Sequence, residues 1–135
     1  MADEFRVQNS AGTETIIAGD ADGGVSLYHN DTKIVETTAN GLEIPDNLEL
    51  RLGDGGDLKI FHEDTNNHSV IKEDGSGHLK LQAENLLLMN ADASHTYVEC
   101  VHTGSTQLYH SNSKKLETAS GGVSVTGDML SLIHI

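Results

Sequence analysis

GGVSLYHNDTKIVETTANGLEI, residues Gly23–Ile44, returns as GSTQLYHSNSKKLETASGGVSV over Gly104–Val125, 81 residues further on. Leu27, Tyr28, His29, Lys33, Glu36, Thr37 and Gly41 recur unchanged as Leu108, Tyr109, His110, Lys114, Glu117, Thr118 and Gly122. Elsewhere the exchanges are mild, as between Asp31 and Asn112, Val35 and Leu116, or Ile44 and Val125. The same offset carries the match upstream without a gap, setting Phe5, Val7, Asn9, Thr15 and Ile17 against Leu86, Leu88, Asn90, Thr96 and Val98. A third relative, Ile60-Phe61-His62-Glu63-Asp64-Thr65, stands between the copies, 33 residues after Leu27-Tyr28-His29-Asn30-Asp31-Thr32. Self-similarity at tens of residues is the signature of arrays whose units cover one another's apolar faces. The chain therefore divides into a first unit at 5–44, a middle unit at 45–85 and a second copy of the first at 86–125, with 126–135 left over.

Within each unit the pattern is that of short strands. Phe5 and Val7 alternate with Arg6 and Gln8, and Val25, Leu27 and His29 alternate with Ser26 and Tyr28, the period of a half-buried strand. Asn30-Asp31 marks a turn before Lys33–Thr38, and Ala39-Asn40-Gly41 leads into Leu42–Ile44. Pro45 ends the ladder, since it offers no N–H to a partner strand. Leu48–Leu52, Leu58–Phe61, Val70–Lys72 and His78–Leu81 read as further strands. Leu86–Met89 has the composition of a buried helix start, but its match to Phe5–Gln8 makes it a strand. The predicted class is all-β: an elongated tandem β-repeat, solenoid-like or built of stacked hairpins, with Leu27 and Leu108 in equivalent buried positions.

Composition agrees with this class and excludes several functions. The 135 residues include no Trp, two Phe and three Tyr, too little large apolar material for one well-filled globule. Fourteen Gly against one Pro supply frequent turns. A formal charge of −13 repels phosphate backbones and anionic lipid surfaces, so nucleic acid is not an expected partner. No apolar run approaches the roughly 20 residues that span a bilayer, so no membrane insertion is expected. Cys100 is a single cysteine, and the expectation for it is a small apolar side chain in a packed position.

Residues with chemistry to offer are spread along the chain. His29, His62 and His110 recur at one position of the pattern beside an aromatic, and no HxH or HExxH spacing joins them. Their expected role is structural: a ring under the strand with a nitrogen bonded to a turn. The acidic glycine turns at Asp20 to Gly24, Asp54 to Asp57 and Glu73 to Gly75 carry the hard oxygens that Ca²⁺ prefers. Asp20, Asp22, Asp54 and Asp57 are the candidate calcium ligands, although the twelve-residue EF-hand loop and the calcium β-roll nonapeptide are both missing. Asp and Gly also suit turns for backbone reasons alone. No GxSxG, P-loop or Cys-His pairing is present, so no catalytic residue is assigned and no enzyme is expected.

The strings LRLGDGGDLKIFHEDTNNHSVIKEDGSGHLKL (50–81), LYHNDTKIVETTANGLEI (27–44) and LYHSNSKKLETASGGVSVTGD (108–128) resemble the repeats of tail-fibre-like virion proteins of marine bacteriophages, cyanophages among them. The pattern there alternates a GDGGDL segment with an LYYDNSKKLETT segment, and this chain departs from it at Tyr28-His29 and Tyr109-His110, where two tyrosines are common. The resemblance covers nearly all of 5–128 and brings no catalytic residue with it. It implies a trimeric, fibrous virion component, extracellular and engaged in host attachment, whose receptor is a surface glycan or a protein. Two rivals from other classes are a secreted calcium-stabilised β-repeat adhesin and a β-solenoid carbohydrate-active enzyme. The closing LSLIHI (130–135) resembles a translated sequencing-library adapter of the kind that ends reading frames from metagenomic assemblies, so 126–135 is expected to be a truncated or non-native tail.

Overall fold

The computed structural model describes residues 4–128, and every regular element among them is a β-strand. The expectations for Leu130–Ile135 lie outside the described residues. The chain separates into two compact units at Leu79/Lys80.

The first unit opens with a five-stranded meander: β1 (Glu4–Gln8), β2 (Thr15–Asp20), β3 (Val25–His29), β4 (Thr32–Thr38) and β5 (Gly41–Glu43), each antiparallel to the next. A three-stranded sheet follows, made of β6 (Leu50–Leu52), β7 (Leu58–Glu63) and β8 (His68–Glu73). The second unit holds another five-stranded meander: β9 (Asn85–Met89), β10 (Thr96–Val101), β11 (Thr106–His110), β12 (Ser113–Ala119) and β13 (Gly122–Val125). Sequential antiparallel neighbours joined by short turns give the hairpin form of connection, not coils of parallel strands.

The two meanders coincide strand by strand at the sequence offset. Ser26 pairs with Glu36 and Leu27 with Val35, as Gln107 pairs with Glu117 and Leu108 with Leu116. A bulge interrupts each ladder directly afterwards, between Leu27 and Tyr28 and between Leu108 and Tyr109. The turns agree too: Asn30 and Asp31 hold φ of 48° and 56°, Ser111 and Asn112 hold 49° and 59°. Two left-handed residues in a row form the turn whose twist matches that of the strands it joins, and short polar side chains tolerate it best. Side-chain pins repeat as well, with the Val25 N–H donating to Thr37 Oγ1 at 2.8 Å and the Thr106 N–H to Thr118 Oγ1 at 3.0 Å.

Directly paired residues share a face, so the registers sort the side chains. In the first sheet one face carries Phe5, Val7, Ile17, Val25, Leu27, Val35 and Leu42 with Gly19 and Thr37. The other carries Glu4, Arg6, Ala18, Asp20, Ser26, Tyr28, Lys33, Glu36 and Glu43. The third sheet sorts in the same way, with Leu86, Leu88, Val98, Cys100, Leu108, Leu116, Val123 and Val125 on its apolar face. In the middle sheet Leu50, Leu52, Leu58, Ile60 and Ile71 lie together.

Three expectations need correction. Leu27 and Leu108 are equivalent but not buried, at 44% and 43% exposed, and no hydrophobic side chain among the described residues forms a buried core. A strand's alternation decides which side chains share a face, while burial needs a second layer that neither sheet contains. His78–Leu81 forms no strand: the chain does not turn back to add it to the open edge of β8, which ends the middle sheet. Within the middle unit, 45–85, the strands span 50–73. Its likeness to Leu27–Thr32 stops at the turn, since β7 runs on to Glu63 and closes through Asp64–Asn67 instead of two residues.

Candidate functional site

The acidic turns are closed mainly by backbone hydrogen bonds. The Asp20 carbonyl accepts the Gly23 N–H at 3.1 Å, and the Asp20 N–H donates to the Gly24 carbonyl at 3.3 Å. At Asp54–Asp57 the Gly56 N–H donates to the Gly53 carbonyl at 2.9 Å, with Gly53 and Gly56 at φ of 92° and 69°. The third turn closes through Glu73 Oε1, which accepts the Gly75 N–H at 3.0 Å, and it is tied to the second where the Asp74 N–H meets the Asp57 carbonyl at 2.6 Å. Among the described residues no three His, Cys, Asp or Glu side chains converge as they would around a metal ion. Asp20, Asp22, Asp54 and Asp57 therefore stand in turns of two separate sheets without forming a joint ligand set.

Of the three recurring histidines, His62 has the turn bonds expected of the position: Nδ1 lies 3.3 Å from Ser69 Oγ and Nε2 lies 3.2 Å from Asn67 Oδ1. His29 and His110 sit exposed at strand ends, with no side-chain hydrogen bond among the described residues. The repeated position thus differs between the middle sheet and the two meanders.

The polar faces hold the denser chemistry. In the first sheet Arg6 Nε donates to Glu4 Oε1 at 2.6 Å and Lys33 Nζ to Glu36 Oε1 at 2.5 Å. The latter pair recurs as Lys114 and Glu117. In the third sheet the Tyr109 hydroxyl lies 2.7 Å from Glu99 Oε2 and 2.6 Å from Gln107 Oε1, and the bond to the Glu99 carboxylate raises the phenol above its ordinary range. Ala18 and Ser26 stand in place of Glu99 and Gln107 in the first sheet, which leaves an open groove of about 430 Å³ beside Tyr28, bordered by Glu4, Arg6 and Asp20.

The middle sheet carries a charge cluster that strand patterning alone did not reveal. Lys59 and Lys72 are directly paired, and Asp74 lies between them with its two oxygens 2.5 Å and 2.7 Å from their Nζ atoms. The hydrogen bond from Lys59, then that from Lys72, holds the Asp74 carboxyl down to about 2. Two like charges across a ladder repel, so Asp74 makes the pairing of Lys59 with Lys72 tolerable.

The nearest approach to a nucleophile–base pair is Ser94 Oγ, 2.8 Å from His95 Nδ1 on an exposed turn. That hydroxyl also lies 2.6 Å from Asp92 Oδ1 and accepts from Asn90 Nδ2 at 3.0 Å. The group locks the β9–β10 turn much as Asn9, whose Oδ1 accepts the Thr13 N–H at 2.9 Å, locks β1–β2. Nucleophilic chemistry needs a cleft and a donor pair for the developing oxyanion, and an exposed turn lock presents neither. No helix among the described residues is long and apolar enough to cross a membrane, which leaves β-barrels unaddressed.

No family model, no curated protein and no solved structure matches this chain.

Proposed function

We propose that this chain is a structural segment of a tail-fibre-like virion appendage, with a part in attachment to the host cell. The observation that carries the reading is the duplicated meander, whose registers, bulges, left-handed turns and side-chain pins agree at a constant offset. A duplicated scaffold with its functional groups spent on turns and ladders suits a protein that spans distance, and the resemblance of 27–44, 50–81 and 108–128 to phage fibre repeats supplies the virion and extracellular setting. On this reading three chains assemble, the receptor is a host surface glycan or a protein, and no catalysis is performed.

Antiserum raised against the chain tests the setting. Applied to phage particles concentrated from seawater and viewed by immunogold electron microscopy, it is expected to decorate tail appendages. Labelling confined to cells or to free secreted material would overturn the virion assignment and favour the adhesin.

A further inference from the structure

We infer that the groove beside Tyr28, on the polar face of the first sheet, binds a small dipolar molecule that carries a carboxylate and an ammonium group close together, as a free α-amino acid does. The third sheet shows the same place filled. There the row across the strands reads Leu87, Glu99, Gln107 and Glu117, and the Tyr109 hydroxyl reaches it, 2.7 Å from Glu99 Oε2 and 2.6 Å from Gln107 Oε1. The corresponding row of the first sheet reads Arg6, Ala18, Ser26 and Glu36. Tyr28, Lys33 and Glu36 match Tyr109, Lys114 and Glu117, and the lysine–glutamate bond is kept, so the frame is unchanged while its filling is gone. Ala18 has no group to offer the half-buried Tyr28, and Ser26 Oγ turns to Glu36 Oε2 at 3.4 Å. Neither bond of the Tyr109 hydroxyl therefore has a counterpart at Tyr28 among the described residues.

The charges around the emptied place differ as well. Glu4, Arg6 and Asp20 stand where the third sheet has Asn85, Leu87 and Val101, so three charged groups border a floor made of Ala18 and Ser26. Arg6 uses Nε on Glu4 Oε1 at 2.6 Å, and its two Nη atoms have no hydrogen bond among the described residues. The guanidinium fork matches a carboxylate in shape and charge. Asp20 closes its turn with its backbone N–H and carbonyl, which keeps its carboxylate available. Asp31, also on the rim, gives Oδ1 to the Thr15 N–H, as Asn112 does to Thr96, and so belongs to the turn.

These groups select the ligand. A carboxylate over Ala18, where the Glu99 carboxylate would reach, accepts from the Tyr28 hydroxyl and from Arg6 Nη, and an ammonium beside it donates to Asp20 and to the second oxygen of Glu4. A simple anion meets Glu4 and Asp20 on a chain of −13 and is repelled, while a simple amine leaves Arg6 and Tyr28 unanswered. A neutral polyol hydrogen-bonds both ends but brings no counter-charge to either. Only the dipolar molecule supplies one charge to each. The groove, about 430 Å³, lies within the range of roughly 300–1,000 Å³ typical of small-molecule sites. The virion setting is not needed for this site, and its failure would leave that setting to the antiserum.

NMR of the full chain titrated with free glycine, at neutral pH and constant salt, is expected to give saturable shifts at Ala18, Ser26 and Tyr28 in the millimolar range, and none at Tyr109. Propionate, ethylamine and methyl glucoside, which carry the carboxylate, the ammonium and the hydroxyls separately, are expected to give no saturable shift. Ala18→Glu with Ser26→Gln copies the filled row of the third sheet and is expected to abolish the response. Tyr28→Phe, which removes only a hydroxyl, serves where the double variant does not fold, and is expected to weaken binding by about 2- to 10-fold. Absence of saturable shifts at the groove would overturn the site, as would shifts that survive in the filled variant or an unchanged affinity in Tyr28→Phe. Methyl glucoside binding as well as glycine would overturn the dipolar ligand.

Discussion

Replacing Asn112 by Gly separates two jobs that one residue performs in the β11–β12 turn. Its backbone is left-handed at φ 59°, while its side-chain amide reaches back to the neighbouring turn, Oδ1 accepting the Thr96 N–H at 2.9 Å and Nδ2 donating to the Ser94 carbonyl at 2.7 Å. Gly adopts the left-handed conformation freely but makes neither bond. With a net worth of about 0.5–1.5 kcal/mol per bond, Asn112→Gly is expected to lose about 1–3 kcal/mol. The greater freedom of Gly in the unfolded chain acts in the same direction. Asn112→Ala loses the same bonds and adds about 1–2 kcal/mol for a Cβ in the left-handed region, giving about 2–5 kcal/mol in all. Urea melts followed by circular dichroism, at one protein concentration so that assembly does not shift the midpoints, should rank wild type above Gly and Gly above Ala. If the turn required only a positive φ, Gly would match or exceed the wild type. A midpoint for Asn112→Gly at or above that of the wild type would refute the side-chain pin.

Two further outcomes concern charge. The Asp74 carboxyl is depressed from 3.8 to about 2 by Lys59 and Lys72, so its contribution to stability is present above pH 3.8 and is lost as pH falls through the range from 3.8 to about 2. Carboxyl titration by NMR should place Asp74 near that value, and Asp74→Asn should remove part of the acid sensitivity of β7 and β8; an ordinary carboxylate titration would discard the cluster. Self-repulsion at −13 per chain is screened as the Debye length falls from about 30 Å at 0.01 M to about 3 Å at 1 M, so sedimentation across a salt series should show a weakly folded monomer in dilute buffer and a more stable oligomer in high salt. Calcium added at constant ionic strength should move the melt no further than magnesium does, and a calcium-specific rise would favour the adhesin reading.

What the sequence made legible follows from what a strand's own residues decide. Alternation and turn chemistry are local, so β3, its Asn30-Asp31 turn and β4 could be placed from the order of residues, and the offset then carried the same elements to β11 and β12. The offset also decided Leu86–Met89, where composition favoured a helix start and the match to Phe5–Gln8 required a strand. Pairing is not local, and there the reading failed or was incomplete. His78–Leu81 alternates as well as Val25–His29 does, but a strand exists only where a neighbour accepts its backbone bonds, and nothing in the tetrapeptide reports that none does. The Lys59, Lys72 and Asp74 cluster depends on the register of β7 against β8, which a sequence gives only once both turn ends are known.

Burial is further still from local pattern. Alternation placed Leu27 and Val25 on one side of β3, and that sorting holds, but a side can be apolar without being covered. Which positions stand opposite one another is likewise information that no single strand contains. Where Val7 with Ile17 becomes Leu88 with Val98, the sum of two side chains on different strands is kept while neither is, and only the ladder reveals that the two positions are opposite one another. Ala18 and Ser26 are read in the same way: each is an unremarkable small residue until register sets them beside Tyr28, where Glu99 and Gln107 occupy the third sheet. An internal repeat thus supplies two versions of one ladder, and only their register shows which exchanged residues stand opposite one another.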